Sequence, residues 1–447
     1  MARRVTVIGG GLAGSEAALQ LAARGVAVTL WEQRPQETTA AHTTDLLAEL
    51  VCSNSFKSTD PARAPGLLKE ELCQLGSRLL AAAAEHQVPG GAALCVDRQR
   101  FSTAVTKEIE AQPLIELKRE QCTDLAGVLA QGAEQGTPAI LATGPLTADP
   151  LWSQLGELMG STGCYFYDAT APIIAADSID SSIVFAQSRY DKGAGSDYLN
   201  CPLDAPQYAS FRAALLEAEV GSLSAGDDYR LFEGCLPIEE LARRGEDAMR
   251  YGPLKPKGLT DPRTAAPPYA AGQLRWEDTL RRALSLVGFQ TRLRTGEQER
   301  VFRQIPGLGS AHFLRYGRMH RNSYLNAPRA LLPTLQLKAA LRLIIAGQLT
   351  GLEGYLAAIA TGLWAGVNAA RLARGQAAAV PPEGSCLGTM LRYMNNPLHE
   401  DYAPTAFQFG MHTWLPDHLK KSQKRALIRQ RAVESWPRMH EITSMPD

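Results

Sequence analysis

The stretch Val5-Thr6-Val7-Ile8-Gly9-Gly10-Gly11-Leu12-Ala13-Gly14 decides which fold this chain can adopt. Its β-branched first half is typical of a buried parallel strand, and the glycines lead into an Ala/Leu-rich helix that runs to about Arg24. Gly25 ends that helix, and residues 26–31 form a second predicted strand that closes on Glu32. This strand–turn–helix–strand order predicts an α/β fold of the doubly wound, Rossmann type.

The glycine spacing in this stretch predicts a dinucleotide site. In a Gly-x-Gly-x-x-Gly turn the first glycine permits the tight turn, the second lets the backbone approach a pyrophosphate, and the third allows close helix–strand packing. The phosphates then lie at the helix N-terminus, where free N–H groups favour anions. An acid at the end of the second strand is the expected partner of a ribose hydroxyl. The alternative is a glycine-rich turn in a non-binding unit. The predicted cofactor-binding residues are Gly9, Gly10, Gly11, Leu12, Ala13, Gly14 and Glu32.

Length and composition predict more than one domain. The chain has 447 residues, beyond the roughly 250–300 residues at which single cores stop growing. The segment from about 160 to 300 is rich in Tyr, Pro and Asp, and we expect it to be an inserted domain. The predicted units are 1–155, 156–305 and 306–447, the first and last forming one domain. Lys+Arg and Asp+Glu both number 46, so nucleic-acid binding would need a local patch rather than a global positive charge.

The sequence gives no sign of export, a membrane span or a metal site. Apolar runs are short and broken, and the N-terminus leads straight into a strand, so we expect a cytoplasmic protein without a membrane partner. The eight cysteines include no Cys-x-x-Cys pair, which disfavours a zinc ribbon or a redox dithiol. Most of them are expected to pack as small apolar residues.

Two further strand ends favour FAD over NAD as the dinucleotide. Residues 142–144 (Ala-Thr-Gly) end a mid-chain strand, as in flavoproteins with two dinucleotide-binding domains. Residues 346–351 end a late strand and lead into a helix, which makes Gly347, Gln348, Thr350 and Gly351 further cofactor-binding candidates. Each could instead be a generic strand–helix loop. No second glycine fingerprint is visible, so a nicotinamide reductant would visit rather than reside.

Five blocks then carry a specific resemblance, namely Glu49–Ser55, Phe232–Pro237, Val287–Thr291, Arg315–Asn322 and Ala346–Tyr355. In this order and spacing they closely resemble the folate- and FAD-dependent tRNA (uracil-5-)-methyltransferases, bacterial flavoproteins related to the GidA/MnmG tRNA-modifying family. The likeness runs from Val5 to about Pro416. It implies a Rossmann-type FAD-binding domain, like those of GidA and glutathione reductase, with an inserted α+β domain.

The resemblance also implies the reaction. Methylenetetrahydrofolate supplies one carbon, FADH2 supplies electrons, and NAD(P)H is the external reductant. The product is 5-methyluridine at uridine 54 in the T-loop of tRNA. Two other activities remain open. Wobble-uridine modification of the GidA type is disfavoured because that family has a longer C-terminal extension than a chain ending at Asp447. A plain FAD oxidoreductase would normally carry a second fingerprint, and a non-catalytic RNA-binding flavoprotein would not need both Cys52 and Cys235.

Carbon 5 of uracil is a poor nucleophile, and addition of a thiolate at carbon 6 activates it. Cys235, in a Gly-Cys-Leu-Pro turn, is the predicted nucleophile, with a packing cysteine as the alternative. Its thiolate would need nearby cations or helix N-termini, and downstream basic residues are candidates. Cys52 lies in a loop expected to cover the flavin, where it could act as a base, contact the flavin or hold the loop. The candidate cations are Arg243, Arg244, Lys255 and Lys257.

The remaining candidates concern folate and tRNA. His320, Arg321 and Asn322, in a predicted strand-end loop, could stack on and hydrogen-bond a pterin, or be structural. Lys255 and Lys257 are the candidate contacts to the T-arm, whose target base would have to leave its stack. The basic run from Lys420 to Arg425, continuing to Arg429 and Arg431, could contact phosphates or be a solvated helix face. Asp97 and Arg98 could be only a helix cap and an ion pair.

Overall fold

The computed structural model describes residues 3–160, 163–221, 231–399 and 402–444. Its strands are β1 Arg4–Ile8, β2 Ala27–Trp31, β3 Ser55–Ser58, β4 Gln87–Val88, β5 Ala93–Val96, β6 Ile115–Lys118, β7 Ala139–Leu141, β8 Cys164–Ala169, β9 Ile173–Ala175, β10 Phe185–Ala186, β11 Tyr198–Leu203, β12 Ala270–Trp276, β13 Ala283–Leu286, β14 Phe313–Arg315, β15 Met319–Tyr324, β16 Gln336–Leu337, β17 Ala340–Ile345, β18 Leu352–Glu353 and β19 Thr405–Ala406. Its helices are α1 Leu12–Ala23, α2 Ala64–Gln74, α3 Arg78–Glu85, α4 Arg98–Ala111, α5 Leu125–Gln135, α6 Asp149–Met159, α7 Ala205–Glu217, α8 Ile238–Arg244, α9 Ala248–Tyr251, α10 Thr295–Phe302, α11 Ala327–Ala330, α12 Tyr355–Ala373, α13 Cys386–Met394 and α14 Lys421–Thr443.

The largest parallel arrangement confirms the predicted Rossmann-type fold. The strand order is β16-β17-β7-β1-β2-β6, and β1 runs parallel to both β2 and β7. The late strand that is predicted to end at residues 346–351 is β17, which joins the same sheet beside β7. The helices α1 and α12 pack closely, because a Cβ on Gly362 would lie only 2.2 Å from the carbonyl oxygen of Ala13. The two ends of the chain therefore build one domain around β1.

The middle of the chain forms a second sheet with its own core. Strands β10-β11-β12-β13-β9-β14 pair in that order, and the pairs described are antiparallel. The apolar side chains packed on it come from residues between Ile174 and Phe313, and α7, α8 and α10 contribute to this core. The inserted α+β character is thus present in the fold. The boundaries 1–155, 156–305 and 306–447 stay a prediction.

A few contacts join the two cores beside the carboxyl ends of the main sheet. The buried guanidinium of Arg98 on α4 forms an ion pair with Glu277 of the second core. The amide of Asn54 donates to the carbonyl oxygens of Val96 and Trp276, at 3.0 and 2.9 Å. Asp97 does cap α4, accepting from the amide of Arg100 at 3.1 Å. The Asp97–Arg98 pair is therefore a helix cap followed by an ion pair that ties the two cores together.

Three local predictions differ from the structure. The weak, polar pattern of residues 39–65 predicts a long loop, but this stretch contains β3 and the first two residues of α2. The pattern of residues 66–87 predicts a single helix, but the helix is split because Gly76 adopts a φ of +73° and Ser77 caps α3. The loop predicted at His320 is the strand β15, whose polar sequence is extended because it pairs with β8. Strand pairing of this kind is a tertiary effect that propensity cannot show.

Helix α12 has the length and hydropathy of a membrane-spanning helix. However, 83% of its most apolar window is buried inside the protein, as in the core helix of a soluble protein. Its apolarity is accounted for by packing against α1 and the main sheet.

Candidate active site

A large cleft lies at the carboxyl ends of β1, β7 and β17, where ligands bind in open α/β sheets. Its cavity volume is about 380 Å³, and it is partly open to solvent. Its walls come from the glycine turn, the loop around Cys52, the strand pair β8–β15 and the turn that carries Cys235. Residues from both cores therefore face one space.

The glycine turn has the geometry that close ligand approach requires. Gly9 has a φ of +104°, and a Cβ there would lie 2.6 Å from the carbonyl oxygen of Ala142. A Cβ on Gly14 would lie 1.8 Å from the carbonyl oxygen of Gly9, so this glycine lets α1 approach the turn. Gly11, in contrast, has nothing within 4 Å of its Cβ position, and no side chain caps α1 there. The N-terminus of α1 thus presents free N–H groups to the cleft.

Glu32 lines the same wall and is held in place by three hydrogen bonds. Its Oε2 accepts from the amide of Gly10 at 3.0 Å, and its Oε1 accepts from the amide and Nε of Arg34 at 3.0 and 2.8 Å. Burial alone would raise the pKa of Glu32, but the hydrogen bonds and charge of Arg34 outweigh it and lower the pKa. A carboxylate has about four acceptor positions, so one remains for a hydroxyl in the cleft.

The other predicted cofactor-binding residues divide into those that line the cleft and those that pack behind the lining residues. Gly10, Leu12, Ala13, Gly347 and Gln348 line the cleft as predicted. The remaining three candidates are not among the lining residues and act behind the wall: Gly14 packs α1, Thr350 donates from Oγ1 to the carbonyl oxygen of Gly347 at 2.7 Å, and Gly351, with a φ of +77°, packs against Tyr402. Direct ligand contact by Gly14, Thr350 and Gly351 is therefore not what the geometry favours.

The loop that carries Cys52 is fixed by buried polar side chains. The hydroxyl of Tyr355 accepts from the amides of Cys52 and Ser53, at 2.9 and 3.1 Å. Arg98 donates to the carbonyl oxygen of Cys52 at 2.9 Å, and Arg315 donates to that of Val51 at 2.7 Å. Neither Tyr355 nor Arg98 is among the predicted site residues: Tyr355 ends the block Ala346–Tyr355, whereas Arg98 lies outside all five blocks and is predicted only as part of an ion pair.

Cys235 faces Cys52 across the cleft. It lies in a 3₁₀ turn, Glu233–Cys235, and the preceding Phe232 donates its amide to the carbonyl oxygen of Tyr167 on β8 at 3.4 Å. The thiol contacts the thiol of Cys52 and the carboxylate of Asp168. The contact with Cys52, burial and the neighbouring Asp168 all raise the pKa of the Cys235 thiol well above its usual range.

The expectation that downstream cations favour this thiolate is wrong. Arg244 pairs with Glu233 at 2.6 Å, and Arg243 pairs with Glu240 at 2.7 Å, so carboxylates neutralise both. Lys255 and Lys257 are not among the residues that line the cleft. In the resting protein, Cys235 is therefore a thiol at neutral pH.

Two carboxyl groups missed by sequence reasoning also line the cleft. Asp168 on β8 stands directly opposite His320 on β15. Glu353 on β18 accepts from Nε2 of Gln348 at 2.6 Å, and burial together with the charge of Asp168 raises its pKa to about 8. Asp168 lies in a Tyr-rich stretch with no motif to mark it, whereas Glu353 stands inside the block 346–355.

The proposed folate triplet is divided by strand alternation. His320 and Asn322 line the cleft, and the buried Oδ1 of Asn322 has no hydrogen-bond partner within the described ranges. Arg321 points to the other face, because successive residues of a strand alternate, and its guanidinium lies 4.0 Å from the ring centre of Tyr165. The prediction that Arg321 contacts a ligand with its neighbours assumed a loop and is wrong for this cleft.

The basic C-terminal run forms the start of α14. Arg429 pairs with Glu70 at 3.3 Å, and Arg431 lies over the ring of Trp414 at 4.0 Å. These two cations therefore have partners within the protein, while Lys420 and Lys421 are exposed. Contact with RNA phosphates stays a prediction for this face.

Comparison with known proteins agrees with this geometry. The family model described as glucose inhibited division protein A matches residues 4–377. A methylenetetrahydrofolate–tRNA-(uracil-5-)-methyltransferase TrmFO from Geotalea uraniireducens (strain Rf4) is 49% identical over 430 residues, covering 96% of this chain and 97% of the relative. A protein of the same name from Moorella thermoacetica is 47% identical over 437 residues, covering 98% of each. The chain belongs to the TrmFO family.

A solved structure supports the same fold for this TrmFO-family chain. GidA from Aquifex aeolicus superposes with a TM-score of 0.71 at 16% identity, covering 100% of this chain and 74% of that one. At that identity the likeness concerns the fold alone, and it agrees with the Rossmann-type domain and inserted domain described above. The resemblance stated from the five sequence blocks is therefore confirmed at the level of the family.

Proposed function

We propose that this protein transfers the one-carbon unit of methylenetetrahydrofolate to carbon 5 of a uridine in tRNA, with reduced FAD as the electron source. One observation carries the proposal: a single cleft contains both a dinucleotide-type glycine turn and the two facing thiols of Cys52 and Cys235. A plain oxidoreductase needs the first feature but not two cysteines from different cores. The related TrmFO proteins are named for this activity.

The residues present fit FAD. The free N–H groups at the start of α1 suit its pyrophosphate, the open position on Glu32 suits a ribose hydroxyl, and Gly347 and Gln348 form the wall nearer the cysteines. When bound and reduced, the cofactor would supply the two electrons that convert a methylene to a methyl group. NAD(P)H is the proposed reductant, visiting the cleft rather than residing in it.

The protein's own groups would activate the uracil. The sulfur of Cys235 adds to carbon 6, and the C5=C6 electron pair becomes an enolate that makes carbon 5 nucleophilic. After carbon 5 has gained the one-carbon unit and lost its proton, the S–C6 bond breaks and its electron pair returns to sulfur. Cys52, fixed by Tyr355 and Arg98, lies opposite Cys235 and limits where the ring can sit.

The remaining ligand contacts are assigned on chemistry. The imidazole of His320 offers a flat surface for a pterin, and the unpartnered Oδ1 of Asn322 offers an acceptor for its ring N–H groups. The cleft is recessed at the carboxyl ends of the main sheet, so a T-loop uridine (position 54 in the family's substrate) would have to leave its stack to enter. Lys255, Lys257 and the exposed start of α14 remain candidate phosphate contacts on the surface.

The test is methylation of transcript tRNA by purified enzyme with FAD, methylenetetrahydrofolate and NAD(P)H. We expect a gain of one CH₂ unit on one T-loop uridine, read by mass spectrometry of nuclease fragments. Cys235→Ala should abolish this gain while FAD stays bound, and Cys73→Ala, which removes an exposed thiol outside the cleft, should not. Methylation that needs only S-adenosylmethionine, or that survives in Cys235→Ala, would contradict the proposal.

A further inference from the structure

The thiol of Cys235 is protonated in the resting protein, whereas its proposed role as a nucleophile needs the thiolate. A nucleophilic thiol must lose its proton, yet the surroundings of Cys235 favour the protonated form, and the predicted partners Arg243 and Arg244 are paired with carboxylates. Some group in contact with the sulfur must therefore take the proton as the S–C6 bond forms.

Asp168 is placed for that task by the fold. The segment before Cys235 docks on β8, through the amide of Phe232 and a bridge between Tyr167 and Leu231, so the thiol lies beside the carboxyl group of the next residue of β8. One carboxyl oxygen, Oδ1, accepts from the amide of Ala169 at 2.8 Å, which fixes the orientation of the group. Both groups line the same cleft, and the neighbouring carboxylate is one of the causes that raise the pKa of the Cys235 thiol.

The groups around Asp168 favour its action as a base. His320 stands opposite on β15, Glu353 approaches from β18, and Cys52 lies across the cleft. Burial raises the pKa of Asp168, only partly offset by the charge of His320 and by its hydrogen bonds, so its carboxylate is a stronger base than an exposed aspartate. Burial and the charge of Asp168 raise the pKa of Glu353 to about 8, so Glu353 is mostly protonated at neutral pH and competes poorly as an acceptor.

Building on the function proposed above, we propose that Asp168 accepts the Cys235 thiol proton as the sulfur adds to carbon 6 of the uracil, and returns it when the sulfur leaves. In the addition, the S–H bond breaks, the proton moves to the Asp168 carboxylate, the S–C6 bond forms, and the C5=C6 pair moves onto the enolate. When the S–C6 bond breaks, its electron pair returns to sulfur, which recovers the proton from Asp168. No oxidant or further reactant is needed.

The variant Asp168→Asn separates this role from a merely electrostatic one, because the two roles predict opposite changes in the rate of methyl transfer at neutral pH. Removing a negative charge beside Cys235 lowers the pKa of its thiol. The pH at which iodoacetamide labels Cys235, read on its tryptic peptide in the FAD-loaded enzyme, should therefore shift down. If Asp168 only disfavoured the thiolate, methyl transfer at neutral pH would rise with the thiolate fraction.

With Asp168 as proton acceptor, methyl transfer by Asp168→Asn at pH 7 should instead fall by about a hundredfold or more, although its thiolate is more abundant. Its rate should climb with pH while the wild-type rate stays level, and Asp168→Glu should restore part of the level region. Asp177→Asn, which changes an exposed carboxylate outside the cleft, is the matched control and should leave both readouts unchanged.

Three outcomes decide the matter. An unmoved labelling pH in Asp168→Asn would show that the carboxylate does not face the sulfur, and would overturn the proposal. Methyl transfer that rises in proportion to the thiolate fraction of Cys235 in that variant would also overturn the proposal. A wild-type enzyme that labels as described but never methylates tRNA would instead overturn the proposed function, since labelling requires neither tRNA nor folate.

Discussion

Replacement of Gly11 by alanine tests the dinucleotide site without disturbing the fold. Gly11 is the N-cap of α1, has a φ of −73° that alanine tolerates, and has nothing within 4 Å of its Cβ position. We therefore expect the unfolding free energy of the FAD-free protein to change by less than about 1 kcal/mol, the difference between glycine and alanine at such a cap.

The effect on FAD should be much larger. A methyl group at Gly11 projects into the space through which a pyrophosphate reaches the first amides of α1. Loss of two hydrogen bonds to charged oxygens, each worth about 1.5–3 kcal/mol, amounts to about 3–6 kcal/mol, or roughly 10²–10⁴-fold weaker binding. The quantity to measure is the FAD dissociation constant, by quenching of flavin fluorescence.

Two further glycines serve as comparisons. Gly14→Ala places a methyl 1.8 Å from the carbonyl oxygen of Gly9, so α1 must move, and the protein should lose about 1–3 kcal/mol of stability as well as FAD. Gly296 lies in α10 and has nothing within 4 Å of its Cβ position, so Gly296→Ala should weaken neither FAD binding nor the stability of the protein. The reasoning is refuted if Gly11→Ala binds FAD within threefold of the wild type, or if its FAD-free form is destabilised as much as Gly14→Ala.

Two other predictions concern buried polar groups. Tyr355→Phe leaves the amides of Cys52 and Ser53 without their acceptor. The free energy of unfolding, measured in urea, should therefore fall by about 1–3 kcal/mol, and hydrogen exchange at those two amides should become faster. Unchanged exchange would show that other contacts hold the loop. Glu71 caps the start of α13 from full burial, which raises its pKa from 4.5 to about 7, so folding favours its neutral form. The contribution of Glu71 to stability should therefore be fully present below pH 4.5 and fall by about 3 kcal/mol as the pH rises through 7, so the stability difference between the wild type and Glu71→Gln should change by that amount over this range; parallel pH profiles of urea unfolding for the two proteins would contradict this.

Features that depend on neighbours in the chain were predictable. The glycine turn, the α1 helix and Glu32 lie within one strand–turn–helix–strand unit, and their spacing encodes the geometry directly. The late strand β17 and helix α12 also followed from local patterns of apolar residues. Errors arose where pairing decided the conformation. The segment of His320 and Arg321 is polar and becomes a strand only against β8, which then separates the two side chains onto opposite faces.

The sequence by itself predicted a dinucleotide site at the N-terminal unit and determined that the chain is of the TrmFO type, because short-range spacing and blocks of residues are properties of the chain alone. Only the tertiary structure decided that Cys235 meets Cys52 and Asp168. These three groups come from different elements that are far apart in the sequence, and the Cys235 turn docks on β8. Burial and like charge at that junction then set the protonation state of the thiol, which no spacing in the sequence records.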